Sequence, residues 1–293
     1  MSGLPRLLGG PAATAGAAIV LVVILSAVLV PVLAPHSPTD ISLAHRLEPP
    51  SAEFLFGTDQ AGRDVFSRVL WGARPSLQVG LIAVFIGLLG GVSLGLWAGY
   101  HAGGWFEQAV MRALDAVAAI PLLIWAIAAM GIVGVDPIRL GPFVFANEIK
   151  VMILLGFLYI PGLARLTHAG AKAESRSEYV DARRLQGAAE WRIMVGDVLP
   201  NCLAPVIVQA TLLVAVGIVV EAAVSFVGLG VQPPASSWGT MLAEARNYLF
   251  SGDWWLSLFP GLAISVTVIG FNLLGDGLRD VLDPRRNTAP LTA

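Results

Sequence analysis

The sequence predicts an all-α polytopic membrane protein with six transmembrane helices. Its 293 residues are 56% hydrophobic and only 13% charged, whereas a soluble domain has about 25% charged residues. The apolar residues are also grouped into six segments, each long enough to cross about 30 Å of hydrocarbon as a helix of about 20 residues. Composition and spacing together favour a membrane-embedded fold over one large soluble core.

The approximate limits of the six spans follow from the apolar runs. In the first run Val32-Leu33-Ala34 resembles a signal-peptide cleavage site. The run is nevertheless longer than the usual signal core of about 7 to 15 residues, which favours an uncleaved anchor. The stretch "LGPFVFANEIK" fits either the fourth span or its outer edge. The predicted spans are Ala12–Leu33, Leu77–Gly99, Ala113–Val135, Ile149–Leu166, Leu203–Leu229 and Leu256–Leu274.

The distribution of Lys and Arg favours cytoplasmic N- and C-termini. With the N-terminus inside, eleven of the 18 basic residues fall in inner segments, beginning with Arg6. Inner loops of membrane proteins are enriched in these residues. This bias also favours an inward position for the long polar stretch between the fourth and fifth spans. Four of the seven outer basic residues lie in one loop: Arg46, Arg63, Arg68 and Arg74.

Several function classes find no support in the composition. The single cysteine, Cys202, excludes an internal disulfide and a Cys-based zinc cluster. The four histidines form no ligand pair at helical spacing, so we expect no metal site. No phosphate-binding loop of the G-x-x-x-x-G-K-S/T kind occurs, and thus we expect this chain to bind no ATP or Mg²⁺ by that route. A net charge of -2 without a basic tail gives no sign of nucleic-acid binding.

The polar stretch from Leu166 to Pro200 holds ten charged residues among 35, about twice the average density of the chain. Its segment "SRSEYVDARRLQ" predicts a short helix that begins with a capping box formed by Ser175 and Glu178. Gly187 then breaks the pattern, because glycine readily adopts positive φ. A second helix is expected over "AAEWRIMVGDV" and to end at Leu199-Pro200, just before the fifth span.

One face of the first short helix is predicted to be apolar. Tyr179, Ala182 and Leu185 recur at every third position, which places them along one side of a helix. The small side chain of Ala182 at the centre allows another surface to approach closely. Two interpretations stay open at this point: a solvated loop between helices, or a bent knob that docks on a partner.

The polar stretch resembles the EAA loop of ABC importer permeases. That family's pattern is Glu-Ala-Ala, three residues, Gly, about eleven residues and then Leu-Pro. Here Asp181, Ala182 and Arg183 occupy the first three places, and the pattern continues with Gly187 and Leu199-Pro200. Asp replaces Glu, Arg replaces the second Ala, and Asp197 stands near a place that is commonly apolar. These departures keep a carboxylate and the helix but leave the individual contacts open.

Four further blocks extend the resemblance along nearly the whole chain and narrow it to the C-type permease of the peptide/nickel subfamily. They are "FGTDQAGRDVFSRVLWGARPSLQVG", "MRALDAVAAIP", "SFVGLGVQPPASSWGTML" and "FNLLGDGLRDVLDPR". The resemblance implies a type I ABC importer permease fold in three parts. These are an N-terminal helix with an extracytoplasmic segment (1–75), a five-helix core (76–278) that includes the coupling loop (166–200), and a cytoplasmic tail (279–293).

The resemblance also implies how such a chain works. The coupling loop would sit in a groove of a cytoplasmic ATPase, whose closure on ATP carries motion into the membrane. One or two kinds of ATPase subunit would bind ATP and Mg²⁺, a second permease chain would supply the other half of the pathway, and an extracytoplasmic binding protein would deliver the substrate. The location would be the bacterial cytoplasmic membrane. The coupling residues implied are Glu178, Tyr179, Asp181, Ala182, Arg183, Leu185, Gly187, Leu199 and Pro200.

Polar residues within or near the spans are candidates for the pathway or its gate. Glu221 lies late in the fifth span, where a carboxylate costs about 2.5 kcal/mol or more near the membrane centre. It either lines the pathway or pairs across the interface with the second permease chain, or it lies near enough to the outer surface to reach water or an Arg and stabilises the fold. Asn272 and Asp276 lie one turn apart near the inner end of the sixth span, as an inner gate or a satisfied helix terminus. Asp115 is expected to pair with Arg112, one turn away.

The outer segments are interpreted mainly as structural. The alternating charges in "GTDQAGRDVFSR" suggest a folded element on the outer edge, with contact to the binding protein as the alternative. Three tryptophans are expected at headgroup depth, where aromatic rings with a polar atom are favoured: Trp238, Trp254 and Trp255. In the second span, Gly87, Gly91 and Gly95 at four-residue spacing predict close helix packing.

Three alternatives to a peptide importer follow from the sequence. Within the same subfamily the cargo could be nickel or another small metal complex. An ion-driven secondary carrier would show inverted repeats, paired broken helices and several buried carboxylates, but only Glu221 lies well inside a span and no repeat is evident. A membrane-bound enzyme would need a clustered catalytic set, which the sequence does not show.

Overall fold

Long helices that run between the two ends of one bundle make up most of the structure. The structure is a computed structural model that describes residues 10–282, so Arg6 and the tail beyond Leu282 lie outside the described residues. Within this range the helices are α1 (Pro11–Leu33), α2 (Val65–Tyr100), α3 (Trp105–Ala118), α4 (Leu122–Val133), α5 (Asn147–Glu174), α6 (Glu178–Leu185), α7 (Glu190–Phe226), α8 (Trp238–Ala245) and α9 (Trp255–Leu282).

Five of these helices are long and apolar enough to span a membrane, and the bent pair of α3 and α4 makes a sixth candidate. The prediction of six spans is confirmed with one correction, because the third span is two helices that meet at 81°. The break falls at Pro121, which lacks an N–H group and disfavours helical geometry in the residue before it. The indole of Trp125 donates a hydrogen bond of 3.0 Å to the carbonyl of Val117 at the end of α3.

Helices α2 and α5 run side by side in the same direction through the centre of the bundle. A Cβ atom added to Gly87 would lie 2.8 Å from Cβ of Tyr159, and one added to Gly91 would lie 2.7 Å from Cβ of Leu163. Any larger side chain would therefore push the helices apart. The predicted role of these glycines in close packing is confirmed.

The coupling loop lies at one end of the bundle, which we call the loop end. Helix α1 begins there, since a Cβ on Gly16 would lie 2.7 Å from the backbone nitrogen of Leu274. Helix α9 ends there, because Leu282 and Asn201 line one cavity. We call the opposite end the far end. It holds the segment 34–64, α8, and a hairpin of β1 (Ile138–Leu140) with β2 (Phe143–Phe145).

The fifth span differs from its prediction at the loop end. Leu199 and Pro200 do not end a separate helix, because α7 is continuous over Glu190–Phe226. A π-helical segment, Ile193–Val198, comes just before them, and the N–H of Leu199 bonds to the carbonyl of Met194 five residues earlier. The wider π turn accommodates Pro200, which has no N–H to donate.

Candidate functional site: an anchored loop at one end of the bundle

Helix α6 projects from the loop end between α5 and α7. Its N-cap is Ser177, and neither this residue nor Ser175 caps it with a side chain, so the predicted capping box is wrong. The helix ends at Leu185, and as predicted Gly187 breaks it, with φ of 79°. The N–H groups of Gly187 and Ala188 bond back to the carbonyls of Arg184 (2.9 Å) and Arg183 (3.2 Å). This left-handed turn sets the angle between α6 and α7.

A single buried residue anchors α6 to the bundle. Val180 is 0% exposed, and it belongs to an apolar cluster with Leu96, Tyr100, Ala171, Ile193, Met194, Val198 and Cys202. Leu199 packs against the same cluster, whereas Pro200 is exposed. Ala182 and Leu185 of the predicted apolar stripe are exposed, and the sequence analysis missed the anchoring residue on the opposite side of the helix.

Polar contacts fix α6 further. Arg183 Nε donates to Asp197 (3.1 Å), within the coupling loop itself. The hydroxyl of Tyr179 donates to Glu174 (2.7 Å) and accepts from Asn201 (3.2 Å), which connects the helix to α5 and α7. Burial and the bond to Glu174 raise the pKa of Tyr179.

Arg184 makes polar contacts with three other residues around the coupling loop. Its Nη1 donates to Asp181 (3.0 Å), and its Nε donates to Glu190 (3.2 Å). Its Nη2 donates to the hydroxyl of Tyr100 (3.4 Å), which in turn donates to Glu190. The bonds to Tyr100 and Glu190 raise the pKa of Arg184 above its ordinary value. The sequence analysis missed Arg184, Glu190 and Tyr100, of which Tyr100 comes from a part of the chain more than 80 residues away.

The outward face of the coupling loop is apolar at two points. Leu185 is 90% exposed and Trp191 is 62% exposed, and Ala182, which follows Asp181, is also exposed. Large apolar side chains held in fixed positions on a well-anchored element are typical of a docking surface. Trp191 was not predicted, although an aromatic residue in a charged stretch is a signal that could have indicated it.

The candidate pathway residue Glu221 lies inside the chain rather than on a surface. It is 1% exposed. Its carboxylate accepts hydrogen bonds from Ser76 (3.1 Å) and Ser225 (2.7 Å), and the Ser225 hydroxyl also accepts from the N–H of Val231 (3.1 Å). Within this chain the carboxylate of Glu221 therefore connects α7 to α2 by a hydrogen bond near the far end. Its predicted contact with the pathway stays a prediction.

The two candidate gate residues are exposed near the end of α9. Asn272 and Asp276 lie one turn apart on the surface. Arg279, one turn further on, lines an open cavity of about 530 Å³ at the loop end, together with Asn201 and Gln209. The gate role of Asn272 and Asp276 stays a prediction.

Two predictions outside the coupling loop need correction. Asp115 pairs with Arg165 of α5 at 2.9 Å and not with Arg112, because α3 packs along α5 and a tertiary partner replaces the one on the same helix. Trp238 and Trp255 are buried, and only Trp254 is exposed. The first donates its indole N–H to Val69 and the second donates to Thr58, so both are core residues of the far end.

The far end contains a charge network that the sequence analysis described only as a folded outer element. Arg68 Nη1 lies 2.7 Å from Glu244, and Arg63 contacts the same carboxylate at 2.8 Å. Both arginines also pair with Asp59. Burial alone would raise the pKa of Glu244, but the hydrogen bond and the charge of Arg68 outweigh it and hold that pKa below its usual value. Among residues 10–282 no group of three His, Cys, Asp or Glu residues could hold a metal ion.

The bundle of membrane-spanning helices and its anchored loop define a multi-pass membrane permease subunit. The chain belongs to the family described as binding-protein-dependent transport system inner membrane component, which it matches over residues 91–288. Residues 5–50 match the N-terminal transmembrane domain of oligopeptide transport permease C. The expected ABC importer permease class is thereby confirmed.

Relatives from several bacteria align with almost the whole chain. The di/tripeptide transport system permease protein DppC of Pseudomonas aeruginosa is 43% identical over 94% of this chain and 89% of its own length. The dipeptide transport system permease proteins DppC of Alkalihalophilus pseudofirmus and Bacillus subtilis are 41% and 40% identical. They cover 93% and 96% of this chain and 86% and 84% of their own lengths.

Proposed function

We propose that this chain forms half of the translocation pathway of an ATP-driven peptide importer in the bacterial inner membrane. The relatives named above are dipeptide or di/tripeptide permeases, which supports short peptides as cargo. The coupling loop and both termini lie in the cytoplasm in this proposal. The excess of basic residues in these segments supports that orientation, as does the position of the loop, the start of α1 and the end of α9 at one end of the bundle.

The observation that carries the proposal is the exposure of Leu185 and Trp191 on a loop that is itself rigidly anchored. Val180 and the contacts of Arg184 hold this loop against the bundle. A partner that binds the two apolar side chains can therefore push or pull on the spans. In the proposal this partner is a cytoplasmic ATPase, and its closure on ATP moves the coupling loop as a rigid body.

The other coupling residues have supporting roles in this proposal. Gly187 sets the bend, Tyr179 and Arg183 brace the helix, and Leu199 packs beneath it. Glu178, Asp181 and Ala182 lie on the exposed side, beside the two apolar anchors. A second permease chain supplies the other half of the pathway, and an extracytoplasmic binding protein delivers the peptide at the far end. ATP and Mg²⁺ are bound by one or two kinds of partner ATPase subunit.

The nickel alternative has less support than peptide cargo. The three relatives described above are all named for peptides, and residues 10–282 hold no candidate metal cluster. Because a separate binding protein selects the cargo in this proposal, the second point counts for little. Uptake measured with a dipeptide and with Ni²⁺ in the same complex distinguishes the two cargoes.

Reconstitution tests the proposed function. The chain is co-purified with its second permease, ATPase subunits and binding protein and placed in liposomes with ATP inside. We expect uptake of a radiolabelled dipeptide that requires ATP, and no ATP hydrolysis by this chain alone. The variant Leu185→Asp should abolish uptake and ATPase binding, whereas Phe250→Ala, at an exposed position of the far end, should leave ATPase binding unchanged. Uptake without the ATPase subunits would refute the proposal.

A further inference from the structure

Three helices meet at one point where the coupling loop joins the bundle. Tyr100 is the last residue of α2, and its hydroxyl donates a hydrogen bond to Glu190, the first residue of α7. Arg184 of α6 bonds to both, through Nε to Glu190 (3.2 Å) and through Nη2 to the Tyr100 hydroxyl (3.4 Å). The guanidinium carbon of Arg184 also lies 5.8 Å from the centre of the Tyr100 ring. We call these three residues the joint.

The joint is the polar connection between the coupling loop and α2 among the described residues. The other polar contacts of α6 lead elsewhere: Arg183 bonds to Asp197 inside the loop, and Tyr179 bonds to Glu174 and Asn201 on α5 and α7. A movement of α6 therefore reaches α2 through the joint and through the apolar cluster that Val180 shares with Leu96 and Tyr100. The end of α5 also packs directly on α2, where a Cβ on Gly99 would lie 2.5 Å from the carbonyl oxygen of His168. The apolar contacts allow α6 to slide over α2, whereas the hydrogen bonds fix the orientation of α6 relative to α2 because they depend on distance and angle.

Helix α2 is well suited to carry such a movement across the membrane. Its 36 residues correspond to a rod of about 54 Å at 1.5 Å per residue. At the far end, Arg68 near its start is held by the buried charges of Asp59 and Glu244. Along its length, glycines such as Gly91 allow α2 to pack closely against α5. A displacement of Tyr100 therefore moves α2 and α5 together.

We propose that Tyr100, Arg184 and Glu190 make the coupling loop and α2 move as one body when the partner ATPase closes. This inference rests on the proposed function, because it assumes that an ATPase drives the loop. The three residues are positioning residues: they contact neither cargo nor nucleotide. Without the joint, α6 turns relative to α2 when the ATPase closes, so less of the movement reaches α2 and less peptide is transported per ATP hydrolysed.

Two variants and one matched control test the joint in the reconstituted complex. Tyr100→Phe removes only the hydroxyl, and Arg184→Gln removes the charge at the centre. Arg165→Gln breaks an arginine–carboxylate pair at 2.9 Å between α3 and α5, without touching the loop. We expect both joint variants to keep ATPase binding and hydrolysis while uptake of a radiolabelled dipeptide per ATP falls about tenfold, the factor that a lost hydrogen bond to a charged group gives. The control should match the wild type.

A second readout is independent of cargo. Spin labels are placed at Ser93 of α2 and at Arg176 just before α6, both exposed, in a Cys202→Ser background. The distance between the labels should be the same in the nucleotide-free and vanadate-trapped wild-type complex, within about 2 Å, and should change on trapping in Arg184→Gln. A distance that changes in the wild type overturns the joint.

The remaining outcomes separate the joint from the proposed function. Unchanged uptake per ATP in both joint variants, with the ATPase bound, overturns the joint alone. Loss of ATPase binding in those variants also overturns the proposal of the joint. The three residues would then serve only to hold the docking surface in place for the ATPase. A wild-type complex that binds no ATPase overturns the proposed function and the joint together.

Discussion

Arg68 in α2 and Glu244 in α8 form an ion pair at 2.7 Å although 176 residues separate them along the chain. The guanidinium is 3% exposed and the carboxylate 25% exposed. Arg63 and Asp59 complete the network, and Gln60 donates a further hydrogen bond of 2.9 Å to Glu244. The pair therefore ties the start of α2 to α8 and holds one end of the helix on which the joint acts.

Replacement of Arg68 by Met should destabilise the far end. The change leaves two carboxylates in a largely buried site with only Arg63 to neutralise them, so we expect a loss of about 2 to 4 kcal/mol in the free energy of unfolding. Thermal unfolding of the detergent-purified chain measures it. The control Arg165→Met breaks a half-exposed pair and should cost less than about 1 kcal/mol. Equal losses in the two variants would show that burial does not control the cost.

The stabilising effect of Glu244 should depend on pH. Because Arg68 holds the pKa of this carboxyl below its usual value in the folded chain, the folded state binds fewer protons than the unfolded state. The contribution is therefore fully present above the unfolded pKa of about 4.3 and is lost as pH falls through the lower folded pKa. The stability difference between wild type and Glu244→Gln should be constant from about pH 6 to 8 and shrink below about pH 4. A difference that grows on acidification would contradict the account.

Replacement of Gly187 by Ala should loosen the coupling loop. Its φ of 79° disfavours a residue with a Cβ by about 1 kcal/mol, which is about a fivefold change in the open population. We expect trypsin to cut at Arg183, Arg184 or Arg192 about fivefold faster in the variant, under conditions in which the loop opens and closes fast relative to cleavage. Gly196→Ala is the control, because that glycine lies in a helical segment with open space around it. An equal increase in both variants would refute the role of the turn.

Truncation of the exposed apolar side chains should weaken docking without unfolding the chain. Leu185→Ala and Trp191→Ala remove the two anchors of the proposed interface, and each should cost about 2 kcal/mol of binding to the ATPase, or about 30-fold in Kd. Binding of purified ATPase to the permease pair measures this. Both variants should melt as the wild type does, since the side chains are largely exposed. Unchanged affinity in both would place the docking surface elsewhere.

Most of the fold could be predicted from the sequence because transmembrane helices are encoded locally. The apolar runs gave every span, and Pro121 within the third was a visible sign of the break between α3 and α4. The stripe of Tyr179, Ala182 and Leu185 was assigned correctly to one face, but periodicity does not say which face is buried. The single residue Val180 on the other side decides that question.

Contacts between distant residues could not be predicted from one sequence. Glu190 is 90 residues away from Tyr100, and nothing in either segment indicates the other. The Asp115 pairing failed for the same reason, since a same-helix partner was visible and the tertiary partner Arg165 was not. The coupling residues themselves were located through a family pattern that marks the loop. The exposed residue Trp191 and the joint residue Arg184 lie between the positions that this pattern marks.

Site-directed crosslinking tests the central claim most directly. The variant Leu185→Cys is made in a Cys202→Ser background and assembled with the partner ATPase in inside-out membrane vesicles. Each ATPase carries a single cysteine on its surface, and a short bifunctional thiol reagent is added to link the two cysteines. The account predicts a crosslinked product that forms at Leu185→Cys and not at the far-end control Phe250→Cys. No product from any exposed position of the coupling loop in an intact complex, or a product from the far end instead, would contradict it.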